Sequence, residues 1–376
     1  MGKQVKTPRF YVDMVSFLHA TGMTGWADSD QRGGGDLLYM NPSNPYIREQ
    51  ESDDNIFRLG IYHQNPFKTS FPINFVALLN HNLASDTNPF RVEGIRQDFA
   101  DNDYEGHVWD TLSDSSDYKR NILNANISSS NIVPEFNGTS IFEIGEKNEH
   151  WVSFFIKYKD SGFDSSLNHQ LGSFVVGKYW DAPNSPDLSL TMERRFDGIK
   201  RQKTIGGKTL ANIYYDGPTE WTMNNKYELS YPSKVYKYPP FELDNPDATT
   251  DGEGNVGENS YKRRAKSGVG RKGLRSWKLT FSYISEDNMW MDNEVSNILE
   301  SDNSTNSNPN PMLSDDSFNF VWNCTLGGTL PFIFQPDNTN NNPDQFSICT
   351  FRGNSLSVNQ VAFNTYTLSV TIDEVA

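Results

Sequence analysis

The chain has 376 residues, and with 13% aromatic side chains, 24 of them Phe, it can build a large core. Its formal net charge of −15 argues against a general binder of bare DNA or RNA. Only two cysteines occur, Cys324 and Cys349, which excludes a disulfide framework and any C-x-x-C metal motif.

In residues 1–22, Asp13 and His19 break the apolar stretch, so no secretory h-region forms. Lys6 stands where a myristoylation motif after Gly2 needs Ser or Thr. No run of 18 apolar residues follows, so a soluble chain without a signal peptide or membrane contact is expected. The sequons at Asn126 and Asn137 are then expected to be unmodified. The two thiols are expected to be reduced and partly buried, with a single bridge between them as the alternative.

"DMVSFLHATG" (13–22) predicts a short helix ended by Gly22. Gly33–Gly35 in "DQRGGGD" lack the Lys-Ser or Lys-Thr of a phosphate loop and read as a turn. Strands are predicted at 57–63, 71–79 and 90–99. His81 follows the second of these, between Asn80 and Asn82. No G-x-S-x-G elbow surrounds it, and the other histidines are scattered. It reads as the polar end of a buried strand, with a ligand-binding role as the alternative.

The stretch 98–117 carries seven acids and no Lys or Arg. Asp101, Asp103 and Glu105 alternate before Gly106, like the start of a calcium loop, but Leu112 stands where the bidentate Glu belongs. A solvated acidic loop is the plainer reading, and no cofactor is expected. Further strands are predicted at 140–145, 150–158 and 171–180. The Pro-rich turn "DAPNSPD" (181–187) marks a domain boundary, giving domains 1–183 and 184–376.

Strands at 188–196 and 212–217 lead into a long Pro- and Gly-rich loop at 231–274. Six acids without a base lie between Glu242 and Glu258, and eight basic residues without an acid between Tyr261 and Lys278. Such opposed charges suit an arm that clasps a neighbouring copy. Its contact residues would be Lys262, Arg263, Arg264, Lys266, Arg271, Lys272 and Arg275. A solvated loop and a nucleic-acid patch are the rival readings; the patch lacks interleaved aromatics. After a strand at 276–284, residues 285–301 predict a helix with Ser285 as N-cap. A polar loop covers 300–317, followed by strands at 317–322, 330–335, 345–351 and 366–375. In the last, Tyr366, Leu368, Val370 and Ile372 point one way and Thr367, Ser369, Thr371 and Asp373 the other.

Many short strands at this spacing predict an all-β protein of two sandwich or barrel-like domains with few short helices. Several segments in order carry a family resemblance. They are "KTPRFYVDMVSFLHATG", "PINFVALLNHNLAS" and "LGSFVVGKYWDAP", then "ERRFDGIKRQKTIGGKTLANIYYDGPTEW", "RSWKLTFSYIS", "LGGTLPFIFQPD" and "YTLSVTIDEV". This order resembles tail structural proteins of tailed bacteriophages, of the minor-tail or distal-tail (baseplate) type. The resemblance implies a galactose-binding-like jelly roll in the first domain and a tail-tube-related sandwich in the second. It implies a virion protein, assembled in the host cytoplasm, that forms a ring. The ring would be hexameric, or less often trimeric, and would bind other tail proteins, with DNA only passing through its lumen. The 231–274 arm departs from a compact tail protein. No enzyme activity is expected. The alternative is a protein that binds or cleaves host glycans, with Trp109, Trp180 or Trp221 stacking on sugar faces.

Overall fold

Strand β1 (Arg9–Asp13) lies mid-sheet, although it has five residues. Helix α1 (Met14–Ala20) follows it without a linker. Asp13 makes that junction possible: its Oδ1 accepts the backbone N–H groups of Val15 (3.0 Å) and Ser16 (3.2 Å), and its Oδ2 accepts the Ser16 hydroxyl (2.6 Å). The helix closes at Thr21, one residue before the expected Gly22. The computed structural model describes residues 5–21, 25–27, 37, 40, 42, 46–48, 55–61, 71–81, 83, 90–96, 119–121, 138–149, 151–158, 169–195, 199–213, 274–291, 313, 315–341 and 345–375.

The following strands are β2 (Gly25–Ala27), β3 (Tyr46–Arg48), β4 (Asn55–Ile61), β5 (Phe71–His81), β6 (Phe90–Arg96) and β7 (Lys119–Asn121). Next come β8 (Gly138–Glu149), β9 (Trp151–Tyr158), β10 (His169–Leu171), β11 (Ser173–Asp181), β12 (Thr191–Arg195), β13 (Ile199–Lys203) and β14 (Thr209–Ile213). The rest are β15 (Leu274–Ser285), α2 (Glu286–Met289), α3 (Phe318–Cys324), β16 (Phe332–Gln335), β17 (Ser347–Phe351), β18 (Ser357–Ala362) and β19 (Thr365–Glu374).

The fold is β-rich, with a large antiparallel sheet. Ten strands form that sheet in the order β12-β15-β19-β17-β16-β1-β11-β5-β8, with β18 also paired to β19. Strands β2, β4, β9, β6 and β7 form a second sheet. The large sheet draws strands from both sides of residue 183, and β1 joins them: Phe10 is opposite Trp180 of β11 and Phe334 of β16. Gly177 permits this close approach, because a Cβ there would run into the carbonyl oxygen of Val12.

Alternation sorts β1 between two faces. Phe10 and Val12 enter the larger buried cluster, and Tyr11 enters the smaller one on the opposite face. The larger cluster also contains Phe57, Leu59, Val92, Phe154 and Ile156 of the second sheet, so the two sheets share one core. That core continues into Trp277, Leu279 and Phe281 of β15 and Leu368, Val370 and Ile372 of β19. On β19 the opposite positions are wetter, with Ser369 exposed, as its alternation predicts.

Two expected elements differ. Residues 317–322, expected as a strand, form the start of α3. Phe318, Phe320 and Trp322 alternate in sequence, but Phe318, Val321 and Cys324 recur at helical spacing and are buried. The helix expected over 285–301 stops after Met289, because Trp290 is extended (φ −115°, ψ 147°). Ser285 is its N-cap residue, yet makes no side-chain cap bond and instead accepts from Asn288 Nδ2 at 2.7 Å. Residues 292–301 lie outside the described residues.

Candidate functional site

Most sequence-derived site residues fall outside the described residues: Asp101, Asp103 and Glu105 of the acidic loop, and Lys262, Arg263, Arg264, Lys266, Arg271 and Lys272 of the basic arm. Trp109 and Trp221 do as well. Trp180 is 4% exposed, packs on Phe10 and Phe318, and donates its Nε1–H to the Asp316 carbonyl at 2.8 Å. It therefore presents no open ring face to a sugar. Among the described residues, no group of three His, Cys, Asp or Glu is placed to hold a metal ion.

Arg275, expected at a subunit contact, is held within its own chain. On β15 its Nε and Nη2 donate to the Glu374 carboxylate at 3.1 and 2.8 Å, and Nη2 also donates to the Phe346 carbonyl and the Ser347 hydroxyl. Its backbone N–H donates to Glu374 as well, at 2.7 Å. The guanidinium thus ties β15, β17 and β19 together and lies 5.3 Å from the Trp277 ring centroid.

His81 ends β5 and is 2% exposed. Its Nδ1 accepts the backbone N–H of Leu83 at 3.3 Å, and its Nε2 lies 2.9 Å from Ser140 Oγ. A nitrogen that accepts from an N–H carries no proton, so the neutral ring bears its proton on Nε2 and donates to Ser140. In that tautomer His81 cannot take a proton from the Ser140 hydroxyl, which rules this pair out as a nucleophile and its base. Burial lowers the imidazole pKa to about 3, so the ring is neutral at physiological pH.

A buried arginine organises the opposite side of the sheet centre. Arg9 Nε and Nη2 donate to the two Asp181 oxygens at 2.6 and 2.8 Å, and its Nη1 lies 2.5 Å from Glu143. Its guanidinium sits 3.9 Å from the Tyr179 ring centroid. The Tyr11 hydroxyl donates to Gln335 Oε1 at 2.7 Å, and Gln335 Nε2 donates onward to the Asn340 carbonyl. Burial opposes the charge on Arg9, but the hydrogen bonds to Asp181 and Tyr11 outweigh it and raise its pKa. Burial likewise raises the Tyr11 pKa, against the pull of Arg9. On the other face of the sheet, opposite Val12, Lys178 is 1% exposed and reaches Asp316 at 2.7 Å and Glu146 at 3.6 Å. These contacts join strands β1, β8, β11 and β16, and sequence reasoning did not find them, because Arg9 and Asp181 are 172 residues apart. Cys324 and Cys349 are both free and buried, and burial raises both thiol pKa values.

The ends of the large sheet differ in charge. At one end is β8, whose Glu143 and Glu146 are exposed. At the other is β12, with all five residues exposed, among them Glu193, Arg194 and Arg195. Just beyond β12 the β13–β14 hairpin stands as a separate two-stranded ladder. Residues 199–213 carry Lys200, Arg201, Lys203 and Lys208 and no acid. Residues 201–210 are all exposed. The turn is closed by Thr204 N–H to the Lys208 carbonyl (2.8 Å) and uses Gly207 at φ 81°, a left-handed conformation suited to glycine. The sequence signal for this hairpin is short: a Gly-Gly pair between two polar runs.

Comparison of the chain with protein-family models, with curated proteins and with solved structures found no match.

Proposed function

We propose that the chain is a structural protein of a bacteriophage tail, of the minor-tail or distal-tail type. Copies of it form a ring that joins the tail tube to the receptor-binding parts. The ring is hexameric, or in the smaller arrangement trimeric. In this reading the first half is the jelly-roll-like adaptor and the second half the tail-tube-like sandwich. The observation that carries the proposal is the long antiparallel sheet whose end strands differ in net charge, β8 with Glu143, Glu146 and Glu149 against Lys147 and β12 with Arg194 and Arg195 against Glu193, followed in sequence by the basic β13–β14 hairpin. Sheet ends invite pairing with another chain, and opposed charges give such pairing a direction. Buried cations held by their own chain, at Arg9 and Lys178, suit a rigid scaffold. The net charge of −15 suits a wall past which DNA slides.

The test is immunogold labelling of virions made from the genome that encodes the chain. Label at the tail is the expected result. Absence of the chain from purified particles, with the protein left in the lysate, overturns the proposal.

A further inference from the structure

We propose that the tip of the β13–β14 hairpin is a knob that docks on a second copy of this chain, on the apolar and acidic surface made by Leu188 and Tyr283 with Asp187, Glu286 and Asp287. The contact rests on the assembly reading above and gives it a place on the molecule.

The tip is built but bare. Thr204 N–H donates to the Lys208 carbonyl (2.8 Å), Gly207 N–H to the Thr204 carbonyl (2.9 Å) and Lys208 N–H to the Thr204 hydroxyl (3.1 Å). These bonds fix a turn whose apolar residue, Ile205, is fully exposed and stands between Lys203 and Lys208. A tip already ordered loses little entropy on docking. Residues 199–213 carry Lys200, Arg201, Lys203 and Lys208 and no acid. The surface that fits this knob is both apolar and acidic.

Such a surface lies on β15 beyond its pairing with β12, which covers Leu274 to Lys278. Asp187 N–H donates to the Thr280 carbonyl (2.8 Å), and the Ser282 hydroxyl donates to the Asp187 carboxylate (2.7 Å). Leu188 follows Asp187 and is fully exposed; Tyr283 follows Ser282 and is 79% exposed. Tyr283 sits in the bulge between Phe281 and Ile284 at φ 62°, a left-handed conformation that a bulky residue adopts only at a cost. Turning an aromatic ring out to water stabilises nothing within the chain, so a contact outside the chain gives that strain a use. Glu286 and Asp287 come next and are exposed. Residues 182–190 and 279–291 carry Asp187, Glu286 and Asp287 and no Lys, Arg or His. An Ile flanked by two Lys thus matches two bare apolar side chains flanked by three acids.

The occupant is a second copy. Ile205, Leu188 and Tyr283 are all exposed in the single chain, so the chain's own knob does not cover its own patch. Knob and patch are different surfaces, so the contact is heterologous, and it closes into a ring when the rotation permits. One knob is small against the roughly 1,000 Å² that a stable pair needs. Closure, in which every copy gives one contact and takes one, supplies the rest.

The experiment uses the full chain. Isotope-labelled and unlabelled copies are mixed and treated with a carbodiimide, which joins an amine to a carboxylate at contact distance. Two variants are followed by native mass, with circular dichroism as the check on folding: Lys203→Glu with Lys208→Glu, and the same pair combined with Glu286→Lys and Asp287→Lys. The expected result is mixed-isotope cross-links from Lys203 or Lys208 to Asp187, Glu286 or Asp287. The first variant should need about tenfold more protein for half-assembly, and the second should recover most of that loss. Intermolecular cross-links that map only elsewhere overturn the contact, whatever the variants do, and so decide the matter if a variant misfolds. An oligomer untouched by the first pair of substitutions overturns the contact alone and leaves the assembly reading standing. A wild-type chain that stays monomeric overturns both.

Discussion

Burial holds His81 neutral and holds Asp13 partly protonated, and the two act on stability with opposite sign. The folded His81 pKa of about 3 lies below the ordinary 6.5. Between those values the unfolded chain binds the extra proton, so stability is lost as pH falls. At pH 5 this amounts to about 2 kcal/mol relative to pH 8. For Asp13, burial outweighs the bonds from Ser16 and Val15 and raises the carboxyl from 3.8 to about 6. There the folded chain binds the extra proton, so stability falls as pH rises from about 4 to 6, and pH 5 is favoured by about 1 kcal/mol. The wild type should therefore show a shallow net dependence. His81→Gln should make the chain more stable at pH 5 than at pH 8, and Asp13→Asn should steepen the loss at pH 5. Urea midpoints at the two pH values check both, and parallel shifts in all three proteins would refute the assignment. Arg9 is tested by truncation: Arg9→Ala leaves the Tyr11 hydroxyl and the Asp181 and Glu143 carboxylates without their cation. It should cost about 2 kcal/mol in lost charge-assisted hydrogen bonds and packing, read as a fall in the same midpoint at pH 7.

At the scale of elements, the close contact of β1 with β11 is the most vulnerable point. Gly177→Ala forces a methyl group into the Val12 carbonyl. Overpacking of this kind should cost about 3 kcal/mol. Gly145→Ala on β8, where a Cβ meets nothing within 4 Å, is the matched control and should be near neutral. Thermal melts of the two variants separate them; equal melting temperatures would contradict the account. Strands β15 and β19, whose apolar residues alternate over a buried face, and β5, a continuous apolar run, were legible in the sequence. β1 was not, because its five residues are all buried, so no wet face marks a period before α1 begins. The segment at 317–322 misled because three aromatic residues alternate over so short a span that period 2 and period 3.6 coincide. The β13–β14 hairpin gave no alternation, since its exposed residues bury no face of the chain. Of the candidate site, the sequence offered Arg275 but not its partner Glu374, which is 99 residues away.

At the scale of the molecule, the sheet crosses residue 183 through β1, so the two halves share strands and core. The buried cations Arg9 and Lys178 lie on opposite faces of that sheet, each held by carboxylates of its own chain. The ring proposed above would place function in contacts between chains. The measurement that tests this most directly is the native mass of the intact chain at low and high salt. The account predicts a homo-oligomer of fixed copy number at low salt that loses mass as salt screens the opposed ends. A monomer at every concentration, unchanged by salt, would contradict it.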